Sequence, residues 1–186
     1  MRKKLSLCAL VLALLAMNSC KNSQSGENEV PIAPGMVRID LTKWHLPATI
    51  DVPDTTKKIY GIVENSDGSI LINVGKGFYI TINVSGESVG MKKNDINGDD
   101  LNKPKTWVAN DSSNLFYSTQ KDTNAFANAK EEFHIYCLVK KGNTTYYVSD
   151  LQQGTDGTVY TFSKEQAQTM FNSAKTLTPV APPTKN

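Results

Sequence analysis

Apolar and polar residues alternate with a period of two along residues 69–84. In SILINV, 69–74, Ile70, Ile72 and Val74 share one face of an extended chain; in GFYITINV, 77–84, Phe78, Ile80, Ile82 and Val84 do the same. Gly75, Lys76 and Gly77 lie between them and suit a tight hairpin, because glycine adopts positive φ without a steric penalty. The preceding run IYGIVEN joins through Asp67 and Gly68, a dipeptide favoured in two-residue turns. These segments predict an antiparallel meander.

A second hairpin is expected from EFHIYCLVK, 132–140, and TTYYVSDL, 144–151, which flank Lys141, Gly142 and Asn143. Phe133, Ile135, Cys137 and Val139 fall on one face, and His134, Tyr136 and Leu138 on the other. Apolar groups on both faces mark a central strand. The stretch TWVANDSSNLFYST, 106–119, reads as two weaker strands around an Asn, Asp and Ser turn.

Helical spacing appears near the C-terminal end. Ser163 and Gln166 fit a capping box, and Ala167, Met170, Phe171, Ala174 and Leu177 make one apolar stripe. A shorter helix or turn is expected over 87–95, where Val89, Met91 and Ile96 are interspersed with Lys92, Lys93 and Asn94. The predicted class is α+β: an antiparallel, hairpin-rich sheet of about six strands with a C-terminal amphipathic helix packed on it. This element order resembles the PsbP-like fold over about 140 residues, and the resemblance implies a domain used for binding partners more than for catalysis.

The N-terminus follows a different logic. Arg2, Lys3 and Lys4 precede an uncharged run from Leu5 to Met17, and Asn18 and Ser19 lead to Cys20. At 1.5 Å per residue such a run reaches about 20 Å, short of the roughly 30 Å needed to span a bilayer. It reads as a secretory signal, residues 1–19. Met17, Asn18, Ser19 and Cys20 resemble the lipobox of bacterial lipoproteins, in the relaxed form of Bacteroidetes-type members; Ser19 fits the pattern, whereas Met17 and Asn18 depart from it. The resemblance implies cleavage before Cys20 and acylation, palmitate included, of that residue. Two or three acyl chains suffice for stable anchoring. Lys21 follows the cysteine, and residues 21–26 hold no acid. This pattern resembles lipoproteins sent to the outer membrane and facing the periplasm, not those exported to the cell surface.

Residues 20–35 are polar and then Pro-containing, and read as a lipidated flexible tether; 179–186, PVAPPTKN, read as a Pro-rich disordered tail. A single domain is expected over 36–178. Loss of residues 1–19 removes three basic residues and no acid, leaving 17 basic against 18 acidic residues and a net charge of −1. That balance argues against nucleic-acid binding. With Cys8 removed and Cys20 acylated, Cys137 is the remaining thiol, so packing and not a disulfide must hold the domain together.

Each chemical motif has a plainer explanation beside it. Asp95, Asn97 and Asp99 in NDINGDD are spaced like the first oxygens of a calcium loop, but the sixth position is Asp100 where glycine is needed and the twelfth is Thr106 where a bidentate Glu is needed. The acidic run 95–100 therefore reads as a solvated loop. His134 and Cys137, three apart on one strand, face opposite ways and cannot pair; Cys137 reads as a buried small hydrophobe and His134 as a packed sheet residue. His45 reaches either only through tertiary folding. Glu131 and Glu132 likewise face opposite ways, and Tyr136, Tyr146 and Tyr147 read as sheet-stabilising aromatics before a recognition surface. No spacing points to a cofactor or a zinc site. The expected function is a lipid-anchored, non-catalytic binding or assembly-support module of the cell envelope, its partners the membrane and an envelope protein. The alternative is an envelope hydrolase or metal-dependent enzyme using His45, His134 or the loop 95–100.

The anchor is directly testable. Replacing Cys20 with Ser is expected to move the protein from the detergent phase to the aqueous phase of an envelope extract, and mass spectrometry of the wild type is expected to show an acylated residue 20 as the first of the chain. An intact N-terminus or an unmodified thiol overturns the assignment.

Overall fold

The computed structural model describes residues 31–54, 56, 60–121, 128–154 and 157–180. The expected signal 1–19, Cys20, the expected tether up to residue 30 and the expected tail from 181 lie outside the described residues. All elements below belong to the unit Ile32–Asn186.

The first meander forms β3 Tyr60–Glu64, β4 Ile70–Val74 and β5 Tyr79–Asn83, preceded by β1 Met36–Asp40 and β2 Ala48–Pro53. Gly68 and Gly75, at φ +79° and +62°, take the left-handed positions that the turns require. Helix α1, Val89–Gly98, follows, with the Ser88 hydroxyl accepting the Met91 N–H at 3.2 Å. The second meander is β6 Asn102–Asn110, β7 Asn114–Lys121, β8 Glu131–Lys141 and β9 Thr144–Asp150. Helix α2, Lys164–Lys175, and the short β10, Thr178–Pro179, complete the described fold. Ser163 caps α2 with a reciprocal bond to Gln166.

The class is α+β, with two antiparallel sheets where the sequence pattern suggested one of about six strands. The larger has seven strands in the order β3-β4-β5-β9-β8-β7-β6, and the smaller has three in the order β1-β2-β10. The chain builds one edge, crosses by α1 to the far edge and winds back until β9 meets β5, with Ile80 opposite Asp150 and Ile82 opposite Val148.

Apolar side chains pack on both faces of the large sheet. On one, Ile70, Ile72, Ile80, Ile82, Phe116, Ile135, Cys137 and Val148 pack with Ala167, Met170, Phe171 and Ala174 of α2 and with Ile50 and Val52 of β2. On the other, Val89 and Ile96 of α1 pack on Leu115, Tyr117 and Tyr136, bordered by Trp107, Leu138 and Tyr147. The two faces expected of β8 therefore map onto two distinct cores.

The smaller sheet was not among the expected elements, although Val37 and Ile39, and Ala48, Ile50 and Val52, alternate with polar residues as the meander strands do. One of its charges is satisfied in the interior. Arg38 forks onto the buried Asp51, Nε to Oδ1 at 2.7 Å and a terminal nitrogen to Oδ2 at 3.1 Å. β10 pairs only with Ala48 and Thr49, so the backbone of Asp51 lies beyond its reach. The end of α2 satisfies it: the Asp51 N–H donates to Thr176 Oγ1 at 2.8 Å, and the Ser173 hydroxyl donates to the Asp51 carbonyl. The last described strand ends at Pro179. Pro179 sits on an edge strand, the position where a sheet tolerates a missing N–H, and the Val180 N–H donates to the Pro47 carbonyl at 2.9 Å.

Two methionines gauge this packing. Met170 is fully buried and Met91 is 59% exposed. Met170→Ala is expected to lower unfolding free energy by about 2–5 kcal/mol and Met91→Ala by about 0.5 kcal/mol or less, read from urea titration. Equal effects would contradict the packing of α2.

Candidate functional site

β7 and β8 place Tyr117, Thr119, Glu132 and His134 on the α1 face of the large sheet, with Tyr117 directly opposite His134 and Thr119 opposite Glu132. α1 covers only part of that face. Beside it a cleft of about 340 Å³ opens, bordered by Lys92, Asp95, Ile96 and Asp99 at the helix, by Asn102 and Lys121, and by Gln152, Val159 and Tyr160 after β9.

His134 is the floor of this cleft and is 3% exposed. Its Nδ1 lies 3.0 Å from Asp150 Oδ2 and its Nε2 lies 3.1 Å from Thr119 Oγ1, while the Gln152 amide approaches Nδ1 at 3.1 Å. A carboxylate oxygen accepts, so the Asp150 contact puts the ring hydrogen on Nδ1 and leaves Nε2 to accept from the Thr119 hydroxyl; the Gln152 amide nitrogen, itself a donor, then lies beside Nδ1 without bonding to it. Asp150 is itself anchored. The β8–β9 ladder ends at Tyr136 and Ser149, and Asp150 Oδ1 takes the Ile135 N–H at 2.7 Å in place of a backbone partner. The Tyr117 ring leans on the imidazole with centroids 5.3 Å apart.

The residues singled out from sequence fall in different places. The run 95–100 is not a solvated loop: Asp95 and Asn97 lie within α1 and Asp99 is its C-cap, because Ser88 and the buried Val89 and Ile96 carry the helix through to Gly98. Asp99 is occupied as a capping acceptor for the N–H groups of Leu101 and Asn102, at 2.8 and 2.9 Å, and for the Asn102 amide at 3.0 Å. The Asn102 side chain, then its backbone N–H, hold the Asp99 carboxyl below its ordinary range. A helix cannot wrap a cation with Asp95, Asn97 and Asp99 as a loop would. Among the described residues no three His, Cys, Asp or Glu side chains converge to hold a metal ion.

His45 follows the 3-10 turn Thr42–Trp44 at φ +58° and is exposed, with Nδ1 2.8 Å from Glu64 Oε2 at the end of edge strand β3. Three strands separate β3 from β8, so roughly 19 Å of sheet lies between the two histidines. Cys137 is buried in the α2-side core, on the opposite face from His134. Glu131 accepts from the Ser118 hydroxyl, whereas Glu132 borders the cleft. The three tyrosines form no surface patch: Tyr146 lies in the α2-side core, and the Tyr136 hydroxyl donates to the Glu87 carbonyl at 2.7 Å.

Thr119, Asp150 and Gln152 were not legible as site residues. Thr119 and Asp150 are 15 and 16 residues from His134, and only strand register brings them to it. Comparison with protein-family models, with curated proteins and with solved structures gives no match.

Burial has a pH consequence. Desolvation pushes the Cys137 thiol up to about 12; it pushes the Tyr136 phenol up to about 12, helped by the Glu87 charge; and it raises the Tyr117 phenol, helped by Asp150. An unfolded chain ionises these groups at about 8.5 and 10, so above that range the folded chain holds the extra protons. Their contribution to stability is complete below about pH 8.5 and is lost as pH climbs toward 12. The urea midpoint is expected to fall over that window. Cys137→Ala should delay the onset toward pH 10, and an unchanged onset would show that the thiol is not buried.

Proposed function

We propose that this chain is a lipid-tethered binding module of the bacterial cell envelope, anchored through Cys20 and facing the periplasm, and that the cleft over His134 is its ligand site. The observation that carries this reading is the cleft itself: charged and amide side chains surround a floor of buried, mutually hydrogen-bonded polar groups. Burying His134 and Asp150 is costly unless their partners are fixed, and here they are fixed at the opening of a concavity. The helix near the C-terminus braces the sheet from the other face, so the site rests on a rigid support. A partner-binding role is also what the likeness to PsbP-like domains implies. No described helix is long and apolar enough to cross a membrane.

A second reading is favoured by one geometric fact. Thr119, His134 and Asp150 form a hydroxyl, imidazole and carboxylate chain at 3.1 and 3.0 Å, the order of a nucleophile, a base and its orienting group. Against it, β7 lies between β6 and β8, so the backbone N–H groups near Thr119 serve the two ladders and are not free to stabilise an oxyanion. Binding is therefore the preferred reading.

The purified lipoprotein is expected to melt at higher temperature in a low-molecular-weight extract of its own envelope than in buffer. The double change Asp95→Ala and Glu132→Ala should abolish the rise. No rise in the wild type overturns the ligand-site reading. Hydrolysis of p-nitrophenyl acetate that His134→Ala reduces at least a hundredfold would replace it with the enzymatic one.

A further inference from the structure

The cleft also restricts its ligand. At about 340 Å³ it lies at the small end of small-molecule sites, which run from roughly 300 to 1,000 Å³, so it takes a compact ligand and not a chain segment. An apolar guest would strip water from Asp95, Glu132, Lys92 and the Gln152 amide without replacing its hydrogen bonds. An acidic guest fares little better. It would face three carboxylates, Asp95, Asp99 and Glu132, and the two ammoniums on the rim already have partners: Lys92 lies 3.6 Å from Glu87 and 5.8 Å from the centre of the Tyr136 ring, and Lys121 has contacts of its own. A metal ion lacks a convergent ligand set among the described residues.

A ligand dense in hydroxyl groups matches this lining of carboxylates and amides. Each hydroxyl donates one hydrogen bond and accepts others, which suits acceptor-only carboxylates standing beside side-chain amides. Two neighbouring hydroxyls can share the two oxygens of one carboxylate. Tyr160 adds a fixed aromatic wall, held by stacking on Tyr79 with centroids 4.1 Å apart and planes 21° from parallel. Such a ring packs well against the C–H face of a sugar. We infer that the cleft over His134 binds a neutral saccharide of one or two pyranose rings, with Asp95 and Glu132 receiving its hydroxyls and Tyr160 packing on a ring face.

This inference rests on the cleft being the ligand site, and the test separates the two. Saturation-transfer NMR on the full lipoprotein, held in a detergent without a sugar head-group, is run with glucose, galactose, N-acetylglucosamine and cellobiose, and separately with spermidine and citrate. At least one saccharide is expected to bind, and Asp95→Ala and Glu132→Ala are each expected to weaken it about tenfold or more, the loss of a hydrogen bond to a charged group. Glu64→Ala, at the distant His45 pair, should leave affinity unchanged. Binding of spermidine or citrate in place of every saccharide overturns the inference. If the envelope extract stabilises the protein through the same two carboxylates and no saccharide binds, the ligand site stands and the saccharide assignment falls. If neither occurs, both fall.

Discussion

The pairing of β5 with β9 is the contact on which the remaining structure depends. Each meander is local, built from hairpins whose turns set their own register. Neither has covered faces by itself. Only when Ile80 and Ile82 align with Asp150 and Val148 does a continuous seven-stranded sheet exist, with enough apolar surface on one side to seat α2 and on the other to seat α1. Joining ends so far apart in sequence carries a loop-closure entropy that the local hairpins avoid. The two-sided burial is what offsets it.

Asp150 stands at that seam and explains how the polar site is tolerated. It lies opposite Ile80 at the last rung of the β5–β9 ladder, supplies an acceptor to the Ile135 N–H where β8 and β9 part, and holds His134 with its other oxygen. One buried carboxylate thus satisfies a backbone donor and an imidazole together. That reciprocity matters because an isolated charge there would cost more than the packing around it returns. The same economy appears on the other side of the molecule. There Asp51 meets Arg38 through its side chain and the end of α2 through its backbone, locking the small sheet to the helix.

The coverage of the sheet is unequal, and the cleft follows from that inequality. α2 carries a continuous apolar stripe and buries Ala167, Met170, Phe171 and Ala174. α1 buries only Val89 and Ile96, and its remaining contacts include Lys92 and Lys93 lying over the Tyr136 and Trp107 rings. Those rings draw the helix over part of the face and leave Thr119 and His134 at the edge of its cover. A fully amphipathic α1 would have sealed the face and left no concavity.

Much of this was readable from the chain. The faces of β4, β5 and β8, the glycine turns at 68 and 75 and the Ser163 cap depend on residues within a few positions of one another, where periodicity and local hydrogen bonding act directly. Strands β1 and β2 carry the same alternation, Val37 and Ile39 against Arg38 and Asp40 and Ile50 and Val52 against Thr49 and Asp51, but the burial of Asp51 depends on Arg38 thirteen residues away and was not legible locally. The run 95–100 was misread because its Asn, Gly and Asp residues favour turns locally, while Ile96 is drawn into the Leu115 and Tyr117 cluster and keeps the helix wound. The sequence by itself determined which residues alternate and where the chain turns. Tertiary structure alone decided that Thr119, His134, Asp150 and Gln152 meet, because their contact depends on the register between strands distant in sequence, and a register belongs to the assembled sheet and to no single segment of it.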